Sequence, residues 1–182
     1  MKRNIIFISL ISLVLISCQI SGLTSGYSHL SKLQKTKVID YKGNIEDITD
    51  NTNIYTITVK QVKDYILSHK KVLIYDYTPY CKSQYCCSPK MLVSLCKKQD
   101  IKVLVIANIY DDIFKMINHG FPLLMINTKP YSKWRWKYTD KFYYDLIGYV
   151  AKDINYASFH YFINGRYIKS IKDIRQETLF DR

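Results

Sequence analysis

Long hydrophobic runs are missing from this chain. The most extended apolar stretch, Ile5–Ile16, has about 12 residues, short of the ~20 that hold a permanent membrane-spanning helix. Glycine (6) and proline (4) are scarce, which excludes collagen-like and linker-like chains. Acidic residues are few, with Asp+Glu at 15 against 27 Lys+Arg, for a formal charge of +12. No phosphate-binding loop, serine elbow, zinc-ligand spacing, His-rich tract or paired-carboxylate motif occurs. No internal repeat or low-complexity block is present either. Five cysteines are too few for a disulfide-built scaffold, yet enough for redox or metal chemistry. What remains is ordinary for a globular chain: 48% hydrophobic, 23% charged, and rich in tyrosine, which accounts for 17 residues. Its 182 residues fit one folded domain.

The first residues read as an address. Met1-Lys2-Arg3 is charged, the apolar run follows, and Ser17-Cys18 closes it. This is the pattern of a secretory signal. Leu15-Ile16-Ser17-Cys18 resembles the bacterial lipobox, which implies cleavage before Cys18 and its lipidation. Cleavage removes Lys2 and Arg3 and lowers the formal charge from +12 to +10. The mature chain would lie in the bacterial cell envelope, facing the periplasm or the exterior, where disulfides persist. That compartment argues against nucleic acid as a partner and in favour of a membrane reached through the lipid. The expected organisation is a signal peptide over 1–17, a polar tether over 18–53 and a domain over 54–182. Within the tether, Val38-Ile39-Asp40-Tyr41 reads either as an isolated short strand or as the first edge strand of the domain.

From Ile54 the pattern is ordered. Ile54–Thr58 is β-branched and aromatic, hence extended. Thr58 caps a predicted helix over Val59–Lys70, with Val62, Ile66 and Leu67 at helical spacing. Lys71–Tyr77 and Lys102–Ala107 are continuous apolar runs, the mark of buried parallel strands. Between them Pro89 opens a predicted helix with Met91, Leu92, Leu95 and Cys96 on its apolar face. Asp111–Asn118 reads as a short helix and Leu123–Ile126 as a strand. Ser158–Ile163 and Arg166–Ile171 flank Asn164-Gly165, a strong hairpin signal, and Asp173–Phe180 reads as a closing helix. Strands alternating with helices imply an α/β fold with a mixed sheet and a C-terminal β-hairpin.

The aromatic-cysteine pair at the end of Lys71–Cys81, the helix start Lys90-Met91-Leu92 and the late strand with its turn, Ser158–Arg166, resemble the thioredoxin-like superfamily over about residues 54–171. The long stretch between Ile109 and Ser158 resembles its membrane-anchored TlpA-like and Sco-like branches. The resemblance implies thiol–disulfide exchange with envelope protein thiols or disulfides. In place of Cys-x-x-Cys the chain has Cys81-Lys82-Ser83-Gln84-Tyr85-Cys86-Cys87-Ser88-Pro89. Cys81 matches the attacking cysteine, and Cys86 or Cys87 would resolve the mixed disulfide. A cysteine at a helix N-terminus gains thiolate character from the dipole, and Lys82 and Lys90 would add to it. A Sco-like reading would instead imply Cu(I) held by soft thiolates. However, Ala157 stands where that branch has a copper-binding His, and no other metal site or resident cofactor is expected. In a further reading the module is non-catalytic: Cys81 bonds Cys86 or Cys87 and pins an exposed loop.

Cys96 reads as a buried inert thiol. Lys129–Tyr144 places Trp134 and Trp136 between Lys133, Arg135 and Lys137. Read as a strand, both Trp rings share one face, either a platform for a glycan, lipid headgroups or an acidic partner, or a pair packed on the core. His29 and His69 read as exposed, His119 as a helix end, and His160 as a strand residue.

Overall fold

A computed structural model describes residues 21–118, 120–148 and 157–177. The signal over 1–17, Cys18, His119 and the segment Asp153–Tyr156 lie outside the described residues.

The apolar runs form the middle of a seven-stranded sheet. Lys71–Tyr77 is β3, and its side chains are buried on both faces as their alternation requires. Leu73, Tyr75 and Tyr77 enter one core layer, and Val72 and Ile74 the other. Lys102–Ala107 is β4, parallel to β3, with Val72 opposite Lys102 and Tyr77 opposite Ala107. Leu123–Ile126 is β5, wholly buried and parallel to β4. Ile54–Ile57 (β2) pairs with β5, and Val38–Asp40 (β1) pairs with β2, both in parallel. Phe159–Ile163 (β6) lies antiparallel to β3, and Arg166–Ile171 (β7) antiparallel to β6. The order is β1-β2-β5-β4-β3-β6-β7. At the hairpin turn, Asn164 (φ 49°) and Gly165 (φ 78°) both take the positive φ that a two-residue turn of this hand demands. The architecture is α/β, a mixed sheet flanked by helices with a C-terminal antiparallel pair, compatible with a thioredoxin-like description.

Among the described residues four α-helices accompany the strands: α1 Lys32–Thr36, α2 Val59–Ser68, α3 Pro89–Lys98 and α4 Arg135–Ile147. Thr58 and Gln61 form a reciprocal capping box at the start of α2. Val62 and Ile66 of α2 pack on one sheet face with Tyr138, Phe142 and Leu146 of α4. Leu92 and Cys96 of α3 pack on the opposite face. Among the described residues no helix is long and apolar enough to cross a membrane.

Several expectations change. The segment read as a tether lies against the sheet over residues 21–53: β1 is an edge strand of the domain, and Ile45 and Ile48 are buried in the core. Leu67, Met91 and Leu95 are exposed, because each helix turns only a narrow stripe inward and its neighbours Ile66, Leu92 and Cys96 fill it. Asp111–Asn118 contains a 3-10 turn at Ile113–Met116 in place of a helix; of the closing segment, residues 173–177 are described and hold a 3-10 turn at Ile174–Gln176. The basic-aromatic segment is helix α4, not a strand. Tyr138, Phe142 and Leu146 recur every four residues and are buried, and this period outweighs the alternation of Trp with Lys.

Candidate redox site

The loop from β3 to α3 carries three cysteines. It leaves the sheet through Thr78, whose carbonyl accepts from the Cys81 N–H at 3.0 Å. A second turn brings the Cys86 N–H onto the Ser83 carbonyl, also at 3.0 Å. The two turns fold the loop back on itself. Cys81 and Cys86, five residues apart, come to a Cα–Cα distance of 6.2 Å and are joined by a disulfide. Both bridged residues are half-buried at the surface.

Cys87 turns the other way. Its thiol is free and buried, and its backbone is gripped by Tyr75 of β3. The Tyr75 hydroxyl donates to the Cys87 carbonyl (2.9 Å) and accepts from the Cys87 N–H (3.3 Å). Burial raises the Cys87 thiol pKa, with Arg175 pulling the other way. Cys96 is a free, fully buried thiol, as expected, and burial pushes it up to about 12. The cluster of three thus divides into a half-buried bridge at the surface and a shielded thiol.

The helix does not supply what was expected of it. α3 begins at Pro89, and its cap Ser88 makes no side-chain bond. Neither bridged cysteine belongs to its first turn, the range over which a helix dipole acts. Lys82 and Lys90 are exposed to solvent. Besides Lys82 on the loop itself, cations reach the loop from the C-terminal segment. Arg175 donates to the Gln84 carbonyl and is held by Asp173 through Nε (2.8 Å) and Nη2 (2.9 Å). Lys172 Nζ lies 4.8 Å from the centre of the Tyr85 ring. These residues are some 90 positions from the cysteines, and no local pattern in the sequence marks them.

Behind the loop, Asn108 joins the ends of β3 and β4 to the head of α4. Its Nδ2 donates to Asp76 Oδ1 (2.8 Å) and Thr78 Oγ1 (2.9 Å). Arg135 Nη1 donates to Asn108 Oδ1 (3.4 Å), and the Tyr138 hydroxyl donates to the Asn108 carbonyl. Asp76 is partly exposed as a residue, but its carboxyl group is buried under α4, near Arg135 and Tyr143. Burial there pushes it up to about 7 against the opposing pull of Asn108 and Arg135.

The remaining candidates are dispersed. Trp134 caps α4 and Trp136 lies in its first turn; both are exposed, so they neither share a strand face nor pack on the core. His29 is exposed. His69 is largely covered, stacked on Tyr65, with Nε2 2.6 Å from Glu46 Oε1, because the chain before β2 folds over the end of α2. His160 is buried in β6 with Nδ1 2.8 Å from Ser170 Oγ, its ring against Tyr143. It faces the α4 layer with Phe162, whereas Cys87 lies in the α3 layer. The sheet therefore separates the buried histidine from the buried thiols, Ala157 offers no ligand, and Cys81 and Cys86 are bonded to each other. Among the described residues no group of three or more His, Cys, Asp or Glu side chains comes together for a metal ion. Among the described residues no histidine reaches the cysteine loop, and these residues do not fit a Sco-like copper site.

No family model matches the chain, and neither a curated protein nor a solved structure does.

Proposed function

We propose that the chain is a membrane-anchored, thioredoxin-like lipoprotein that exchanges thiols and disulfides outside the cytoplasm. The observation that carries this reading is the Cys81–Cys86 bridge, half-exposed in the loop between a central parallel strand and the following helix. Open α/β sheets commonly place their chemistry outside the carboxyl ends of the strands, where this loop lies. The lipid anchor is read from the lipobox-like Leu15–Cys18.

The chemistry is thiolate attack on the bridge. A substrate thiolate attacks one sulfur, the S–S bond breaks, and the other cysteine leaves as a thiolate. A second substrate thiolate then attacks the mixed disulfide. The substrate dithiol leaves as a disulfide, oxidised by two electrons, and Cys81 and Cys86 are left reduced. The reverse sequence reduces a substrate. Lys172, beside Tyr85, supplies positive charge on the loop, which favours the leaving thiolate; the charge of Arg175 is offset by its Asp173 partner.

The test is exchange with a glutathione redox pair, followed by alkylation of whatever is free. The expected result is reversible opening of one bridge at Cys81 and Cys86, together with reduction of insulin by the dithiol form. Cys81→Ser abolishes both. A bridge that glutathione does not open, or reduced cysteines that do not react, would sink the reading.

A further inference from the structure

Residues 21–26 run as a strap over the end of the sheet where β3 and β4 finish. Arg135, the first residue of α4, donates its backbone N–H to the Leu23 carbonyl (2.8 Å) and its Nε to the Gly22 carbonyl (2.8 Å). Thr24 forms an antiparallel bridge with Trp134. The Tyr110 N–H donates to the Ser25 carbonyl at 2.8 Å. Gly22 has φ 92°, and a Cβ built there would lie 2.8 Å from the Tyr80 hydroxyl oxygen. Gly22 is therefore fastened against both the head of α4 and the residue before Cys81.

This fixed point is four residues from Cys18. Four residues of fully extended chain span at most about 14 Å. A lipidated Cys18 would thus hold the head of α4 within about 14 Å of the anchored cysteine. The surface found there suits that position. Leu23, Trp134 and Trp136 are 45%, 38% and 59% exposed. Lys133 Nζ lies 5.2 Å from the Trp134 ring centre, and Lys137 Nζ 5.1 Å from that of Trp136. Between residues 132 and 141 four cations face a single carboxylate, Asp140. Indole rings flanked by lysines are matched to the headgroup region, with an apolar body, a polar edge and cations for anionic lipid.

We infer that Leu23, Trp134, Trp136, Lys133 and Lys137 seat the domain directly on an anionic phospholipid bilayer. This rests on the reading of Cys18 as the lipid anchor. An acidic protein or a glycan could use similar side chains, but the short reach from Cys18 singles out the membrane. Because Tyr80 touches the same strap, the disulfide loop begins beside the seated surface. The substrates it favours are thiols and disulfides close to the membrane.

The chain has two tryptophans, Trp134 and Trp136, both at the head of α4, so its indole fluorescence reports on that end of the helix. The chain purified from membranes is reconstituted in phosphatidylcholine vesicles with and without phosphatidylglycerol, some carrying brominated acyl chains. The expected result is a blue-shifted emission, quenched by brominated lipid and more strongly on anionic vesicles. Lys133→Glu with Lys137→Glu should weaken seating on anionic vesicles at least about 30-fold, seen as loss of that quenching, with the melting temperature unchanged, since both lysines are exposed. Mass spectrometry of Cys18 is read separately. An acylated chain whose tryptophans stay unshifted and unquenched overturns the inference and leaves the anchor standing. An unacylated Cys18 removes the anchor; quenching on anionic vesicles then still supports the surface, and its absence overturns it. A response to an acidic protein or a glycan, with vesicles silent, also overturns it.

Discussion

Reducing the Cys81–Cys86 bridge separates a working redox pair from a structural staple. The bridge closes a sequence separation of only five. On the chain-entropy account, a loop that short withholds about 2 kcal/mol of freedom from the unfolded chain. In a protein of this size each kcal/mol moves the melting temperature by about 2–4 °C, so reduction should lower it by about 4–8 °C. The loop has other fastenings that survive reduction. Tyr75 grips the Cys87 backbone, Arg175 holds the Gln84 carbonyl, and the Cys81 N–H bonds the Thr78 carbonyl. The dithiol form should therefore remain folded, as any protein that cycles between two redox states must. The assay is calorimetry with and without a phosphine reductant, repeated on Cys81→Ser with Cys86→Ser. Native-state alkylation after reduction should label Cys81 and Cys86 and spare the buried Cys87 and Cys96. Loss of the cooperative transition on reduction would refute the reasoning, as would equal labelling of all four thiols.

Acid stability should depend on two opposed buried groups. Burial holds His160 down to about 3 from 6.5, so the unfolded chain binds the extra proton between those values and the fold weakens as pH falls below about 6.5. Burial pushes Asp76 up to about 7 from 3.8, so the folded chain binds the extra proton and the fold weakens as pH rises towards 7. In Asp76→Asn the second effect is gone: urea titrations should show stability climbing with pH up to about 6.5 and exceeding the parent at about pH 8. A variant less stable than the parent at that pH contradicts a costly buried carboxylate. Thr58→Ala removes the capping box of α2 and should cost about 1 kcal/mol by urea unfolding; no change would mean the cap adds nothing. Phe142→Ala empties a fully buried ring site between α4 and the sheet and should cost about 3–5 kcal/mol, and a loss below about 1 kcal/mol would show that α4 collapses to fill the space.

Local pattern and tertiary structure share this protein unequally. β3, β4, β5 and α2 were legible because burial on one or both faces imposes a period that short windows display. Asn164-Gly165 was legible because few residues accept two consecutive positive φ values. The basic-aromatic segment was misread because Trp134 and Trp136 alternate with cations locally. The deciding signal, Tyr138, Phe142 and Leu146, runs on through the next two turns. Residues 21–53 looked like a tether because their few apolar residues are scattered. Ile45 and Ile48 are buried only because the sheet and α2 are there to receive them.

For the site, the sequence alone determined that three cysteines crowd the strand-to-helix loop and that Cys96 belongs on an inward helix face. Chain connectivity and helical spacing are enough for that. Only the tertiary structure decided which cysteines pair, since four thiols permit several pairings and the choice follows from two turns and the grip of Tyr75 on Cys87. It also brought Arg175 to Gln84, and Gly22 to Arg135 and Tyr80, contacts across 91, 113 and some 58 residues. Such contacts leave no periodic trace in sequence, because hydrogen bonds and close approaches between distant segments exist only once the sheet has set their places.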